Sequence, residues 1–402
     1  MPSSKMSPER ERILRRLARI MNTRHRVPFP INRPLLECFD AAITPEEAEC
    51  LLQLGSEPFT AAEALAKSGL SQDQFHPLFD GLLKKGLVWP RGTSEGEEMF
   101  ALPGIMLGWF EVFLSDGRET QAQQEFARRL DRLLKSWGKM NVFPLRSLLN
   151  YRLGRSTLPA QSIAAIDSAE AAARGTRITV DRALPATAPR IYPAQTVREL
   201  IDKLGDSESI ALVHCFCRQY HKLVGENCRF EHPPESCMAI GSLARHALKV
   251  SSARSLSRSE AMDLLERLQA RGAVHQVFHE NEDADQPEIA ICNCCWDCCG
   301  LLGSYNRGIL PLHFRSYFEA RMSDAGLCDG CGTCADFCPV QAISLVGQKA
   351  QVDVRKCIGC GQCSLQCPQD AVSLVPHERN VILPLVKPSH ARLRGQATQA
   401  RD

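Results

Sequence analysis

One arrangement of cysteines occurs twice in the last quarter of the chain. Each copy has the spacing Cys-x2-Cys-x2-Cys-x3-Cys-Pro, and the copies begin at Cys328 and Cys357, 29 residues apart. Thiolates at these intervals can wrap an iron–sulfur cluster, and the fourth cysteine of each run ligates the cluster of the other run. The sequence therefore predicts two [4Fe-4S] clusters. We expect Cys328, Cys331, Cys334 and Cys367 to hold cluster one, and Cys357, Cys360, Cys363 and Cys338 to hold cluster two.

An apolar stretch follows each run, at residues 342–346 and 371–375, and suits a strand that covers a cluster. Residues 347–350 should turn a hairpin after the first stretch. Two zinc knuckles are the alternative, but eight cysteines without histidine in a doubled pattern favour the clusters. The segment 328–368 resembles a bacterial-type two-[4Fe-4S] ferredoxin module, which implies electron transfer.

A second collection of cysteines precedes these runs. Reduced thiols crowded together are prone to oxidation unless they bind a metal, so core packing is the weaker explanation. A third [4Fe-4S] cluster suits an all-thiol site, whereas zinc would also accept His214, His221 or His232. Cys38 and Cys50 lie singly in apolar segments, and we assign them no role. The nine candidate ligands are Cys215, Cys217, Cys228, Cys237, Cys292, Cys294, Cys295, Cys298 and Cys299.

Strands should deliver both groups of these cysteines. A predicted strand at 210–213 leads to the first group, in which Cys228 and Cys237 fall in a proline-containing loop. A helix capped by Ser257 and a strand at 274–278 lead toward the second. Neither group has enough well-spaced thiols alone, so we expect them to build at least one site jointly. Adjacent cysteines point apart in an extended chain, and therefore only some of the nine can face one site.

Residues 196–375 resemble a group of ferredoxin-like proteins of anaerobic bacteria. The resemblance rests on His214-Cys-Phe-Cys-Arg218, on the Cys-Asn-Cys-Cys-x-x-Cys-Cys segment that begins at Cys292, and on the two cysteine runs. It extends to the N-terminal part of the chain. It implies this architecture and electron transfer, and it names no partner.

The N-terminal part carries no comparable chemistry. A short basic amphipathic helix is predicted within the first 27 residues, and we expect its apolar face to pack on the protein rather than on a membrane or a partner. Helices at 45–54, 60–68 and 71–85 and a hairpin formed by strands at 86–90 and 98–102 resemble a winged helix. Residues 40–100 hold eleven acidic and four basic side chains, which opposes phosphate binding.

Composition limits the remaining possibilities. The net charge of +2 excludes a globally nucleic-acid-like surface, and no run of 18 apolar residues occurs. Because cluster ligands must stay reduced and no signal peptide is evident, we expect a cytoplasmic location. The sequence also lacks a dinucleotide fingerprint, a P-loop and a catalytic triad, so an electron-transfer component is favoured over an independent enzyme.

These observations predict a multidomain α+β protein. We expect it to relay electrons through two clusters and a third upstream cluster to or from a redox partner protein. The alternative is a redox-responsive transcription regulator that uses the winged-helix-like domain. The predicted divisions are a basic segment (1–27), a winged-helix-like domain (28–117), a helical connector (118–190), a cysteine-rich α/β metal-binding domain (191–312), a two-[4Fe-4S] ferredoxin domain (313–376) and a basic tail (377–402).

Overall fold

The computed structural model describes most of the chain. Residues 141–189, which make up most of the predicted helical connector (118–190), lie outside the described part. Most of the basic tail also lies outside it. The described residues are 6–23, 29–94, 96–140, 190–204, 209–251, 253–279, 288–308, 312–316, 318–377 and 382–384.

The N-terminal unit consists of helices followed by a hairpin. Capping boxes at Thr44 and Thr60 set the starts of two of the helices. The first strand pairs with the last, which gives a three-stranded antiparallel sheet in the order β1-β3-β2. The elements are α1 Pro8–Asn22, α2 Arg33–Ala42, α3 Pro45–Leu54, β1 Phe59–Thr60, α4 Ala61–Ser68, α5 Gln72–Lys84, β2 Trp89–Ser94 and β3 Glu97–Ala101.

Helix α1 packs on the protein itself, as the sequence predicted. On its apolar face, Leu14, Leu17 and Met21 are fully buried in the N-terminal core, and the partly buried Ile13 and Ile20 pack against that core. Arg10 on its outer side bonds Asp40 of α2 at 3.0 Å. The apolar face is therefore occupied by the chain's own core.

A π-helical turn at Ile105–Trp109, α6 at Phe110–Leu114 and α7 at Gln121–Met140 complete this core. Trp109 is buried, and its ring centroid lies 4.8 Å from that of Phe39 and 5.7 Å from that of Phe126. Helix α7 was expected in a separate connector. Its described part packs along α2 within the same core.

A six-stranded sheet forms the centre of the molecule, in the order β4-β8-β9-β6-β5-β7. All of its pairings are antiparallel, so the predicted α/β character of this domain is wrong and α+β describes it. The strands are β4 Arg190–Tyr192, β5 Ile210–His214, β6 Glu235–Ile240, β7 Arg254–Leu256, β8 Val274–His279 and β9 Glu288–Cys294, and the helices are Ala194–Lys203, Phe216–Leu223, Gly241–Val250 and Arg258–Ala270.

The C-terminal part is built from short antiparallel pairs. Strand β10 (Leu312–Phe314) pairs with β15 (Ile382–Pro384), and β11 (Phe318–Met322) pairs with β14 (Val372–Pro376). A hairpin joins β12 (Ile343–Val346) to β13 (Lys349–Val352). The short helices of this part are Leu302–Asn306, Thr333–Asp336 and Gln362–Leu365. Within the described residues, we find no helix whose length and apolarity would let it span a bilayer.

Candidate metal centres

The cysteines of the two repeated runs line two small cavities, each with thiols from both runs. We call one group the buried set. Backbone amides point at its sulfurs: Ala342 N donates to Cys338 Sγ at 3.1 Å, and Ala320 N donates to Cys357 Sγ at 3.4 Å. Its cavity measures about 20 Å³. The buried set is Cys338, Cys357, Cys360 and Cys363.

The other four thiols, called the exposed set, line a cavity of about 10 Å³. Ala350 N and Ala371 N donate to Cys328 Sγ and Cys367 Sγ at 3.5 and 3.3 Å. Gly330 has a φ of +78°, and a Cβ there would come within 2.3 Å of Gln348 O, so the loop requires glycine. The exposed set is Cys328, Cys331, Cys334 and Cys367.

Both sets have the properties that a [4Fe-4S] cluster requires. Each offers four soft thiol ligands around one cavity, with backbone amides turned toward sulfur. Burial raises the pKa of Cys338 and Cys360, so these thiols stay protonated unless a metal takes the place of the proton. That the eight thiols are cluster ligands stays a prediction.

The buried set lies against the central sheet, and the exposed set faces solvent. Ile358, between two cysteines of the buried set, is buried in one apolar cluster with Cys294 and Cys299. Gln362 Nε2 also donates to Ala273 O at 2.6 Å. In the exposed set, Cys331 is exposed. The two sets therefore occupy an inner and an outer position.

Six of the nine upstream cysteines surround one end of the central sheet, and we call them the six-thiol group. Hydrogen bonds from Cys217 and Cys237 lower the pKa of Cys215, and hydrogen bonds from Cys217 and Cys294 lower the pKa of Cys299. Gly300 N donates to Cys217 Sγ at 3.0 Å. The group is Cys215, Cys217, Cys237, Cys292, Cys294 and Cys299.

The remaining three, Cys228, Cys295 and Cys298, form a separate three-thiol group with Asp297. One ligand atom from each of the four residues lies within 4.8 Å of all the others. The sulfurs of Cys228 and Cys295 are 3.6 Å apart. Hydrogen bonds from Cys295 and Cys298 lower the pKa of Cys228.

Adjacent cysteines are divided between the two upstream groups. Cys294 belongs to the six-thiol group and its neighbour Cys295 to the three-thiol group, and Cys299 and Cys298 are separated in the same way. This agrees with the expected divergence of neighbouring side chains. The prediction that Cys237 lies in a loop is wrong, because it is in β6, where it contacts Cys292 of β9.

The three histidines considered as substitute ligands are not part of the close arrangement of the three-thiol group with Asp297. His221 Nδ1 pairs with Glu226 Oε2 at 2.6 Å, and His214 Nδ1 lies 3.9 Å from Glu235 Oε1. The His232 ring is buried, and neither of its nitrogens has a hydrogen-bond partner among the described residues.

The comparison with known families bears on the C-terminal thiols. Residues 321–368 match the 4Fe-4S dicluster domain family. The match shows a ferredoxin-like iron–sulfur module there and supports an iron–sulfur electron-transfer role for the chain. No curated protein and no solved structure matches this chain.

Arg218 lies between the two upstream groups. It is 5% exposed, its guanidinium donates to Ser236 Oγ, and Nη2 donates to Asn293 O at 2.8 Å. Burial opposes its charge, yet interaction with thiols of both groups, led by Cys215 and Cys295, raises its pKa. The sequence contained Arg218 in a motif, but nothing local indicated that it would be a buried cation.

A cavity of about 320 Å³ is lined by the whole six-thiol group and also by Cys295 and Cys298 of the three-thiol group, and it is much larger than the cavities of the two C-terminal sets. Its opposite wall comes from the N-terminal unit and includes Trp89, Met106 and Val112. Hydrogen bonds across this boundary hold the helix that follows Cys215. Gln219 Nε2 donates to Arg118 O at 2.8 Å, and Tyr220 OH donates to Asp131 Oδ1 at 2.9 Å.

Proposed function

We propose that the chain is an iron–sulfur electron-transfer protein, or such a subunit of an oxidoreductase complex. Clusters held by the exposed set, the buried set and the six-thiol group would supply one-electron carriage, at potentials governed by burial and by hydrogen bonds to sulfur. The residues contribute thiolate ligands, amide donors and an apolar covering that excludes water.

The main support for a connected relay is the Asn306 side chain, which bridges the upstream cysteine segment and the buried set. Asn306 Nδ2 donates to Trp296 O at 3.1 Å and to Pro339 O at 2.7 Å. Trp296 lies within the second upstream cysteine segment, and Pro339 follows Cys338 of the buried set. A single amide thus joins the two regions, and Ile358 shares one buried apolar cluster with Cys299. Electron transfer weakens steeply with distance, so this close packing favours exchange between the regions.

The cluster of the exposed set would be the outer end of the relay, nearest to solvent. Leu345 lines its cavity and is 44% exposed, while Val346 is 52% exposed and Leu327 is 51% exposed. Apolar side chains around an accessible redox site suit a transient protein contact. We propose that the redox partner approaches this end of the molecule.

The first test measures metal content. Anaerobically purified protein should contain about twelve iron atoms and about twelve acid-labile sulfides per chain, four of each for each of three clusters. Dithionite should produce low-potential paramagnetic signals. Cys38→Ala removes a buried cysteine of the N-terminal core that belongs to none of the thiol groups, and its iron content should equal that of the wild type. Iron near zero, with zinc in its place, would contradict the proposal.

The alternative function, redox-responsive regulation, rests on the N-terminal element order. The order α3, β1, α4, α5, β2, β3, with β1 paired to β3, supports a winged-helix-like unit. However, α5 exposes Asp73 and Asp80, and the unit forms a wall of the thiol-lined cavity. We propose that its main role is to cover that cavity.

A gel shift with genomic DNA fragments separates these functions. Because residues 40–100 carry eleven acidic and four basic side chains and so repel phosphate, we expect only weak binding that is lost as salt increases, and no dependence on cluster loading. The measurement compares cluster-loaded with cluster-free protein over a salt series. A sequence-specific shift that changes with cluster state would favour the regulator.

A further inference from the structure

The three-thiol group differs in its dimensions from every other thiol group of the described residues. Its sulfurs and one Asp297 carboxylate oxygen all lie within 4.8 Å of one another. No three cysteines of the exposed set, the buried set or the six-thiol group, all of which are described, meet that limit. The sets that suit cubane clusters are therefore wider, and this group is compact.

The spacing indicates what the compact group can hold. A tetrahedral zinc ion with Zn–S bonds of about 2.3 Å places neighbouring sulfurs about 3.8 Å apart. The Cys228 and Cys295 sulfurs are 3.6 Å apart. A [4Fe-4S] cluster spreads its thiolates further, because each binds a different iron. We propose that Cys228, Cys295, Cys298 and Asp297 bind one zinc-class metal ion, separate from the iron–sulfur clusters.

The carboxylate of Asp297 is held in place by the backbone around it. Its Oδ1 accepts from Cys298 N at 2.7 Å, and its Oδ2 accepts from Arg229 N at 2.8 Å. The Arg307 guanidinium also donates to the Asp297 carbonyl. Each carboxylate oxygen has a second lone pair, so these bonds leave a donor for the metal. Such contacts orient a ligand before the metal arrives.

Asp297 is a better fourth ligand than His232. The His232 ring is buried without hydrogen-bond partners among the described residues, but its nitrogens fall outside the compact set. The centroid of the His232 ring lies 5.9 Å from the centroid of the Phe230 ring. Three thiolates and one carboxylate complete a tetrahedron without a position for water or substrate, which is the arrangement of a structural zinc site.

The ion would join two loops that face the ferredoxin-like module. The first loop carries Cys228 and Arg229, and the second carries Cys295 and Trp296. The Arg229 guanidinium lies 5.1 Å from the centroid of the Trp296 ring. Both side chains line a cavity of about 390 Å³ together with Cys338 and Pro339. The metal would thus fix the surface against which the buried set is placed.

Metal analysis of the whole protein tests the inference. Anaerobically purified wild type should hold about one zinc per chain in addition to its iron. Zinc-edge X-ray absorption should show about three sulfur neighbours and one oxygen. Cys228→Ser should lose the zinc and keep its iron, because the other thiol groups are untouched. Asp297→Asn, which keeps three thiolates, should release zinc to a chelator at least about tenfold more readily.

Three further variants distinguish the zinc site from the iron–sulfur sites and test the choice of fourth ligand. Cys292→Ser, in the six-thiol group, should lose iron and keep zinc, whereas Cys38→Ser should keep both. His232→Ala should keep zinc. If His232→Ala lost zinc while Asp297→Asn retained it, the choice of Asp297 as fourth ligand would be wrong. Fully iron-loaded wild type without zinc, or loss of about four iron atoms from Cys228→Ser, would overturn the site. Low iron with intact zinc would instead count against the electron-transfer proposal.

Discussion

Replacing Cys338 with serine should remove about four iron atoms per chain, and the loss should come from the buried set. Cys338 belongs to the first cysteine run, but its sulfur lines the same cavity as those of Cys357, Cys360 and Cys363. A serine hydroxyl is a harder and much less acidic ligand than a thiol, so one corner of the cluster would lose its ligand and the whole cluster should dissociate during purification. Iron analysis and spectroscopy of the reduced protein measure the change.

The reciprocal variant is Cys367→Ser, which belongs to the second run and lines the cavity of the exposed set. It should lose the cluster of the exposed set. In the wild type, the signal of that cluster should be the more sensitive of the two to small polar oxidants, because Cys331 is exposed. Cys50→Ser is the control, since Cys50 is buried between helices of the N-terminal core. If Cys338→Ser lost the signal of the exposed set and retained that of the buried set, each run would be a separate four-cysteine site.

Local sequence signals predicted the parts of the fold that depend on neighbouring residues. The capping box at Ser257 begins the helix Arg258–Ala270, and the turn at Gly347 joins β12 to β13. The spacing of the two cysteine runs predicted the iron–sulfur module that the family match supports. In each case the determining contacts lie within a few residues of one another, so the sequence displays them directly.

The arrangement of the upstream thiols depends on contacts that the sequence does not display. Strand β9 was not predicted, although it carries Cys292 and Cys294, and β6 with Cys237 was expected to be a loop. Strands β5 and β8, which were expected to bring the two groups together, are separated by β9 and β6. Register between distant strands sets which thiols meet, and one chain's periodicity does not specify that register.

The same limit applies to the role of the N-terminal unit. Its helices and hairpin follow from capping and apolar periodicity, as the starts of α3 and α4 illustrate. Nothing in that pattern indicated that Met106 and Val112 would face the thiol-lined cavity, or that α7 would pack against α2. Such contacts join surfaces far apart in sequence, where periodicity shows only that a face is apolar.

Replacing Arg218 with glutamine should lower the reduction potential of the six-thiol centre by an amount on the order of 100 mV. A unit charge near a redox centre contributes about 2 to 4 kcal/mol at an effective dielectric constant of about 20, and about 2.3 kcal/mol corresponds to 100 mV for one electron. Arg218 is buried beside thiols of both upstream groups. Because reduction adds negative charge, removal of this cation disfavours the reduced state. Potentiometric titration followed by electron paramagnetic resonance measures the shift.

The free energy of unfolding of the metal-loaded protein should also fall in Arg218→Gln. Removing one partner from a buried set of charges commonly costs about 3 to 5 kcal/mol, because the thiolates then lack compensation. Arg218→Lys keeps the positive charge and should restore most of the potential, although it loses the paired bonds to Ser236 and Asn293. Arg245→Gln removes the same charge from an exposed helical position and should change neither quantity measurably. An unchanged potential in Arg218→Gln, with iron content preserved, would mean that the six-thiol group holds no redox-active metal near this guanidinium.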